Sequence, residues 1–240
     1  MWDTLQFVAL LVAIEGAFVV SASVGLGGSL LMVPTLVLAV GTREGVALAA
    51  LLLASNNVLK AMAYRRTIPW RASSLIIVLT AAGAFVGAIA LVRAPESLIV
   101  VAVFAMFLVT IALERFGRQK HARPVGPVIA LASGATSGFS GTSGPLKGVA
   151  IRNLGLDRQH FVGAASLASL VGDLTKSAVY ADAALLGRDS LVVVAAAIPL
   201  MILGTLTGFR LNRRAGERGF TVMFWAVIAG YSARLALALP

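Results

Sequence analysis

Residues 134–145 read GATSGFSGTSGP and interrupt an apolar segment that runs from about 124 to 154. Residues 21–29 read SASVGLGGS and interrupt a second apolar segment, from about 4 to 40. A helix needs about 20 apolar residues to cross the hydrocarbon core, and each break leaves one arm of only about ten residues. The two segments are therefore predicted to be broken helices within a membrane.

The composition places the rest of the chain in the membrane as well. Of the 240 residues 59% are hydrophobic and only 12% are charged, whereas charged residues make up about a quarter of a soluble domain. Further long apolar stretches predict six full crossings, at 44–66, 70–92, 96–116, 157–181, 189–210 and 217–239. The sequence thus predicts an all-α integral membrane protein whose partner is the lipid bilayer.

The two halves of the chain repeat each other. Gly83-x3-Gly87 before Arg93 recurs as Gly204-x3-Gly208 before Arg214, at an offset of 121 residues. Asn57-x2-Lys60-x3-Tyr64 recurs as Asp173-x2-Lys176-x3-Tyr180, at an offset of 116. We infer a duplication with repeat 1 at 1–116 (hairpin 4–40), a basic linker at 117–123 and repeat 2 at 124–240 (hairpin 124–154).

The basic residues favour one of two topologies. If each broken segment is a single crossing, the halves are parallel and Lys and Arg divide evenly between the two sides. If each is a re-entrant hairpin, the second half is inverted. Thirteen Arg and Lys residues then lie on one side of the membrane and four on the other. The larger set is Arg65, Arg66, Arg71, Arg115, Arg118, Lys120, Arg123, Arg152, Arg158, Arg210, Arg213, Arg214 and Arg218. By the positive-inside rule this set is cytoplasmic and both termini are external.

The net charge of +10 does not indicate nucleic acid, because the basic residues lie mainly between the apolar segments, where they set orientation. The chain has no cysteine and two histidines, which argues against a metal site or a catalytic thiol. No G-x4-G-K-[ST] motif predicts nucleotide binding, and no H-E-x-x-H or G-x-S-x-G motif predicts an enzyme. We expect no cofactor.

The two breaks predict an anion site. Non-helical backbone at membrane depth must be buried in protein or line an aqueous cavity, and the helix N-termini after the breaks carry positive dipole ends. The predicted binding groups at the breaks are Ser23, Gly25, Gly27, Gly28, Ser29, Ser137, Ser140, Gly141, Thr142 and Ser143. The alternative is that these glycines only permit close helix packing, which is also our expectation for Gly83, Gly87, Gly204 and Gly208.

Five ionisable residues are left inside the predicted membrane segments: Glu15, Lys60, Lys147, Asp173 and Lys176. A charge there costs several kcal/mol, so each is a functional candidate, and an excess of lysine favours an anionic ligand. Asn57, Lys60 and Lys176 are predicted to bind it, although Lys60 could instead snorkel to the interface.

The other embedded residues are candidates for coupling and gating. Asp173 either neutralises Lys176 at i,i+3 spacing or carries a proton, and Glu15 and Lys147 are further candidates. Tyr64 and Tyr180 are either gates or, as we favour, interfacial belt residues.

The motif residues resemble those of the sulfite exporter TauE/SafE family, also called TSUP. The resemblance rests on GLGGS at 25–29 followed by Val33-Pro34, on its irregular second copy SGFSGTSGP at 137–145, and on the layout in two halves. It implies a multi-pass permease of a bacterial or archaeal plasma membrane, for sulfite, thiosulfate, sulfoacetate or related anions. Ser29 replaces a glycine often found in the first motif.

Together these features predict a secondary transporter of a small anion, working by alternating access and coupled to protons or another ion. A passive anion channel is one alternative, and an intramembrane enzyme or assembly factor is another. The sequence does not fix the oligomeric state.

Overall fold

A computed structural model describes residues 3–24, 29–116, 126–143, 146–207 and 210, and the described residues form an all-helical protein. The helices are α1 (Thr4–Val24), α2 (Ser29–Val40), α3 (Thr42–Ala63), α4 (Trp70–Arg93), α5 (Glu96–Phe116), α6 (Gly126–Ser140), α7 (Leu146–Arg152), α8 (Arg158–Asp182) and α9 (Arg188–Thr207). A short 3-10 helix, Arg65–Thr67, follows α3. The predicted linker at 117–123 and the predicted crossing at 217–239 lie outside the described residues.

Three helices in the described ranges are long and apolar enough to span a membrane: Thr42–Met62, Trp70–Arg93 and Arg188–Thr207. Shorter apolar helices lie at Thr4–Val19, Leu31–Val40 and Glu96–Met106. Helix α8 is 25 residues long, but polar and charged residues such as Asp173 and Lys176 interrupt its apolar sequence. Large apolar side chains of α4 and α9, among them Val78 and Leu203, are exposed, as is expected of residues that face lipid.

The first broken segment forms two helices, α1 and α2. We predicted a break from Ser21 to Ser29, but α1 continues to Val24 and α2 starts at Ser29. Helix α2 then turns directly into α3 at Gly41, whose φ of 102° lies in the left-handed region that glycine adopts at little cost. Gly45 on α3 lies so close to the backbone of Val37 that a side chain would overlap it.

The second broken segment is a hairpin. The start of α6 and the end of α7 lie next to each other. A Cβ on Gly126, at the start of α6, would lie 3.4 Å from the Cβ of Asn153, which follows α7. The predicted break at Gly134–Pro145 began too early, since α6 is helical through Ser140. It ends at Gly141, with a φ of 77°.

Packing against α4 explains why α6 stays helical through two glycines. Cβ atoms on Gly134 and Gly138 would overlap the carbonyl oxygens of Thr80 and Ala84 on α4. In the same way, side chains on Gly83 and Gly87 of α4 would overlap the backbone of α6. Residue numbers rise together along this contact, so the two helices run parallel. The close packing expected of Gly83 and Gly87 is confirmed, and it compensates for the low helix propensity of glycine.

Helix α8 begins at a defined cap. The Asp157 side chain accepts hydrogen bonds from the backbone N–H groups of Gln159 and His160. The hydrogen bonds from the backbone and the side chain of His160 hold the pKa of the exposed Asp157 carboxyl below its usual value. This cap fixes where the helix that carries Asp173 and Lys176 starts.

Candidate functional site

A buried polar cluster joins α3 and α8. On α8, the Asp173 carboxylate accepts a hydrogen bond from the Asn57 side-chain amide of α3, with 2.7 Å between Nδ2 and Oδ2. Its other oxygen lies 2.8 Å from the Lys176 Nζ, one turn further along α8. Of the two roles considered for Asp173, the ion pair is therefore present. Both carboxylate oxygens are occupied, as buried charges require.

Lys176 joins this cluster to the end of α6. Its side chain is fully buried, at 0% exposure. Besides Asp173, the ammonium donates to the Ser137 hydroxyl at 3.0 Å and to the Gly141 carbonyl at 3.2 Å. Its three N–H groups are thus all used by the protein. In this conformation Lys176 holds the end of α6 in place and has no donor left for a ligand.

The two broken segments contact each other at their breaks. The hydroxyls of Ser29, at the start of α2, and Thr142, after α6, are 3.0 Å apart. The Ser140 hydroxyl donates to the carbonyls of Thr136 and Thr142, which closes the end of α6. Thr142 and Ser143 are buried. The structure therefore brings Ser29 of the first predicted break and Thr142 of the second together, but Ser137 and Ser140 belong to a helix and their backbone N–H groups are not free.

Tyr180 also holds α6. Its side chain is fully buried, and its hydroxyl donates to the Gly138 carbonyl. The expectation that Tyr180 is an interfacial belt residue is therefore wrong. Tyr180 follows Lys176 by four residues and therefore lies on the same face of α8, but how deeply that face is buried depends on how α6 packs. Tyr64, by contrast, is exposed at the end of α3.

The two other candidate lysines, Lys60 and Lys147, keep N–H groups that no residue in the described ranges accepts. The Lys147 ammonium, on α7, donates to the Ser169 hydroxyl of α8 at 2.9 Å, and the residue is only half-buried. Lys60 is exposed, and within the described part of the chain its ammonium makes no hydrogen bond or ion pair. Sequence reasoning missed Ser169, although its position one turn before Asp173 was a usable signal.

The other predicted site residues are not in this cluster. Glu15 lies on α1, where a Cβ on Gly204 of α9 would sit 3.1 Å from the Glu15 carbonyl oxygen and 3.5 Å from its Cγ. Ser23 lies in the last turn of α1. Gly25, Gly27 and Gly28 fall outside the described residues. Among the residues that the structure describes, no three His, Asp or Glu side chains come together as a metal site would require.

The arrangement is that of a polar site inside an apolar bundle, where broken helices meet embedded charges. A family model described as sulfite exporter TauE/SafE matches residues 9–235. The chain belongs to the sulfite exporter TauE/SafE family. No curated protein and no solved structure matches the chain.

Membership in the TauE/SafE family makes this chain a membrane transporter of sulfur compounds. The suspected resemblance is thereby confirmed over nearly the whole chain. The buried cluster around Asp173 is the part of the described structure in which embedded charges are concentrated.

Proposed function

We propose that this TauE/SafE protein is a secondary transporter that moves a small sulfur-containing anion, such as sulfite, another sulfur oxyanion or an organosulfonate, by alternating access. The observation that carries the proposal is the buried Asn57–Asp173–Lys176 cluster at the junction of α3, α6 and α8. Charged groups inside a membrane are costly and are retained mainly where they bind or move an ion.

The contacts between the two repeats support a two-fold relation through this cluster. Asn57 and Asp173 are equivalent positions, 116 residues apart, and they hydrogen-bond to each other. Ser29 and Thr142, 113 residues apart, also contact each other. Equivalent residues of two halves meet only near the axis that relates the halves. The proposed axis therefore passes between α3 and α8 and between the tips.

The directions of α3 and α8 favour an inverted repeat. Asn57 contacts Asp173, while the carbonyl of Thr67, ten residues later, lies beside Gly163, ten residues earlier. The chain after α3 thus runs antiparallel to α8. Two equivalent helices are antiparallel when the two-fold axis that relates the halves is perpendicular to them and so lies in the membrane plane. If the axis ran along the membrane normal, as for parallel halves, the two helices would be parallel.

The packing of the glycine helices repeats across the same axis. Gly83 of α4 lies against the carbonyl of Leu131 on α6, and Gly204 of α9 lies against the carbonyl of Glu15 on α1. The two glycines are equivalent at the offset of 121, and each contacts a carbonyl in the broken segment of the other repeat. In each case a helix of one repeat packs on the broken segment of the other, which is the reciprocal arrangement that a two-fold relation between the repeats predicts.

Two equivalent lysines differ in state, which supports alternating access. Lys176 is buried and fully bonded, whereas Lys60 is exposed. In a transporter with inverted repeats, the opposite-facing state is reached when the two repeats exchange conformations. We propose that Lys60 becomes buried beside Asp173 in that state and that Lys176 is released to meet the anion.

The orientation follows from the basic residues. The proposal places the loops around Arg66, Arg118 and Arg152 in the cytoplasm of a bacterium or archaeon, with both termini external. The turn before Arg188 is then external. This side assignment makes the α6–α7 hairpin enter from the cytoplasm.

A counterflow assay tests the proposed function. Purified protein in liposomes loaded with unlabelled thiosulfate should accelerate the entry of labelled thiosulfate, because a carrier that binds substrate at both faces exchanges it. Sulfite, sulfoacetate and taurine should be compared as competitors. A channel would let thiosulfate cross without acceleration by internal substrate. No movement of any of these anions above that in empty liposomes would contradict the proposal.

Asp173 is the proposed coupling residue. Asp173→Asn should lower counterflow at least about tenfold per folded molecule, because the amide keeps the hydrogen bond to Asn57 but no longer neutralises Lys176. Uptake by the parent should respond to an imposed proton gradient, and uptake by the variant should not. The matched control is Asp182→Asn, at the exposed end of the same helix. Equal gradient dependence in parent and Asp173→Asn would remove the coupling role.

A further inference from the structure

We infer that Lys60 and Lys147, together with Ser169, form a binding site that selects a divalent anion. The inference rests on the proposed function and names the charge class of its substrate. It assigns the first contact with the anion, in the conformation described, to these two lysines rather than to Lys176.

The geometry brings both lysines to the same turn of α8. Lys147 donates to Ser169, which lies one turn before Asp173. Lys60 lies one turn after Asn57, on the same face of α3. Because α3 runs antiparallel to α8 from the Asn57–Asp173 contact, Lys60 also approaches the turn of α8 that contains Ser169.

The number of unused donors separates these lysines from Lys176. All three N–H groups of Lys176 have partners in the protein. Lys147 uses one N–H group on Ser169, and Lys60 uses none on any residue that the structure describes. Lys60 is exposed and Lys147 is partly exposed. An anion between them would receive charge-assisted hydrogen bonds from both sides.

The charge balance indicates the valence of the anion. Asp173 and Lys176 neutralise each other. Lys60 and Lys147 then leave two positive charges that no acidic residue in the described part of the chain is seen to pair with. A dianion neutralises both, whereas a monoanion leaves one ammonium uncompensated at a substantial electrostatic cost.

The test uses two organosulfonates of nearly equal size. Sulfoacetate carries a sulfonate and a carboxylate, and isethionate carries the same sulfonate and a hydroxymethyl group, so they are a dianion and a monoanion at neutral pH. As competitors of thiosulfate counterflow in the parent, sulfoacetate should bind at least about tenfold more tightly than isethionate. Lys60→Gln and Lys147→Gln should each lower the affinity for sulfoacetate about tenfold or more. The affinity for isethionate should stay within about threefold of the parent's.

The control is Arg71→Gln, which removes an exposed positive charge from the start of α4 and should leave both affinities unchanged. Each variant is first shown to be monodisperse and to unfold at the parent's temperature within a few degrees. Equal affinities for the two compounds in the parent, or a preference that survives in both lysine variants, would overturn the inference while leaving anion transport intact. A parent that moves no anion would instead overturn the proposed function, and the inference with it.

Discussion

Replacing Lys176 with methionine should lower the free energy of unfolding by about 3–5 kcal/mol. The methionine has a similar length but leaves the Asp173 carboxylate buried beside Asn57 without its counter-ion, and breaking a buried pair in this way is costly. It also removes the hydrogen bonds to Ser137 and Gly141 that hold the end of α6. Reversible unfolding of the purified protein in micelles measures the difference.

A double-variant cycle separates the ion pair from the packing of the side chain. Lys176→Met combined with Asp173→Asn removes both charges, so the double variant should be more stable than the sum of the two single losses predicts. The expected coupling is at least about 1 kcal/mol. A Lys176→Met protein that unfolds with the free energy of the parent would show that the buried pair does not hold these helices together.

Gly134→Ala should destabilise the protein by about 1–3 kcal/mol or more. The added methyl group would overlap the Thr80 carbonyl oxygen, and neither backbone can yield without moving α4 from α6. The matched control is Gly148→Ala on α7, where a Cβ meets nothing within 4 Å. Helix propensity predicts that this control is neutral or stabilising by up to about 1 kcal/mol. The same unfolding assay compares the two variants.

If Gly134→Ala were as stable as Gly148→Ala, the close contact of α4 and α6 would not contribute to the fold. Transport adds a second readout, because displacement of α6 moves Ser137 and Gly141 away from Lys176. The Gly134→Ala protein should therefore also lose counterflow, while Gly148→Ala retains it.

The sequence predicted the broken segments because glycine and serine are poor helix formers, but it placed both breaks too early. Gly134 and Gly138 stay helical because their lack of a side chain lets α4 pack closely against them. Local helix propensity does not account for this contact between helices. The pairing of Asp173 with Lys176 was predictable from their spacing on one helix. The Asn57–Asp173 contact was implied only indirectly, by the equivalence of the two positions in the repeat.

What the sequence could not supply is the set of contacts made across helices. Lys60 and Lys176 occupy equivalent positions in the proposed repeat, yet Lys60 is exposed and Lys176 is buried, because Lys176 lies against the end of α6. The burial of the Tyr180 side chain follows from the same packing against α6. Such differences between equivalent residues are properties of one conformation, and no pattern in a duplicated sequence encodes them.

The central claim, that the two halves are inverted about the Asn57–Asp173 contact, is tested most directly by labelling two equivalent loops. The chain has no cysteine, so Arg66→Cys and Arg188→Cys each create one reporter, at exposed positions after α3 and after α8. In right-side-out membrane vesicles an impermeant maleimide should label the Arg188→Cys protein at once, and the Arg66→Cys protein only after permeabilisation. Labelling of both from the same side would contradict the inverted repeat, because parallel halves place these two loops together.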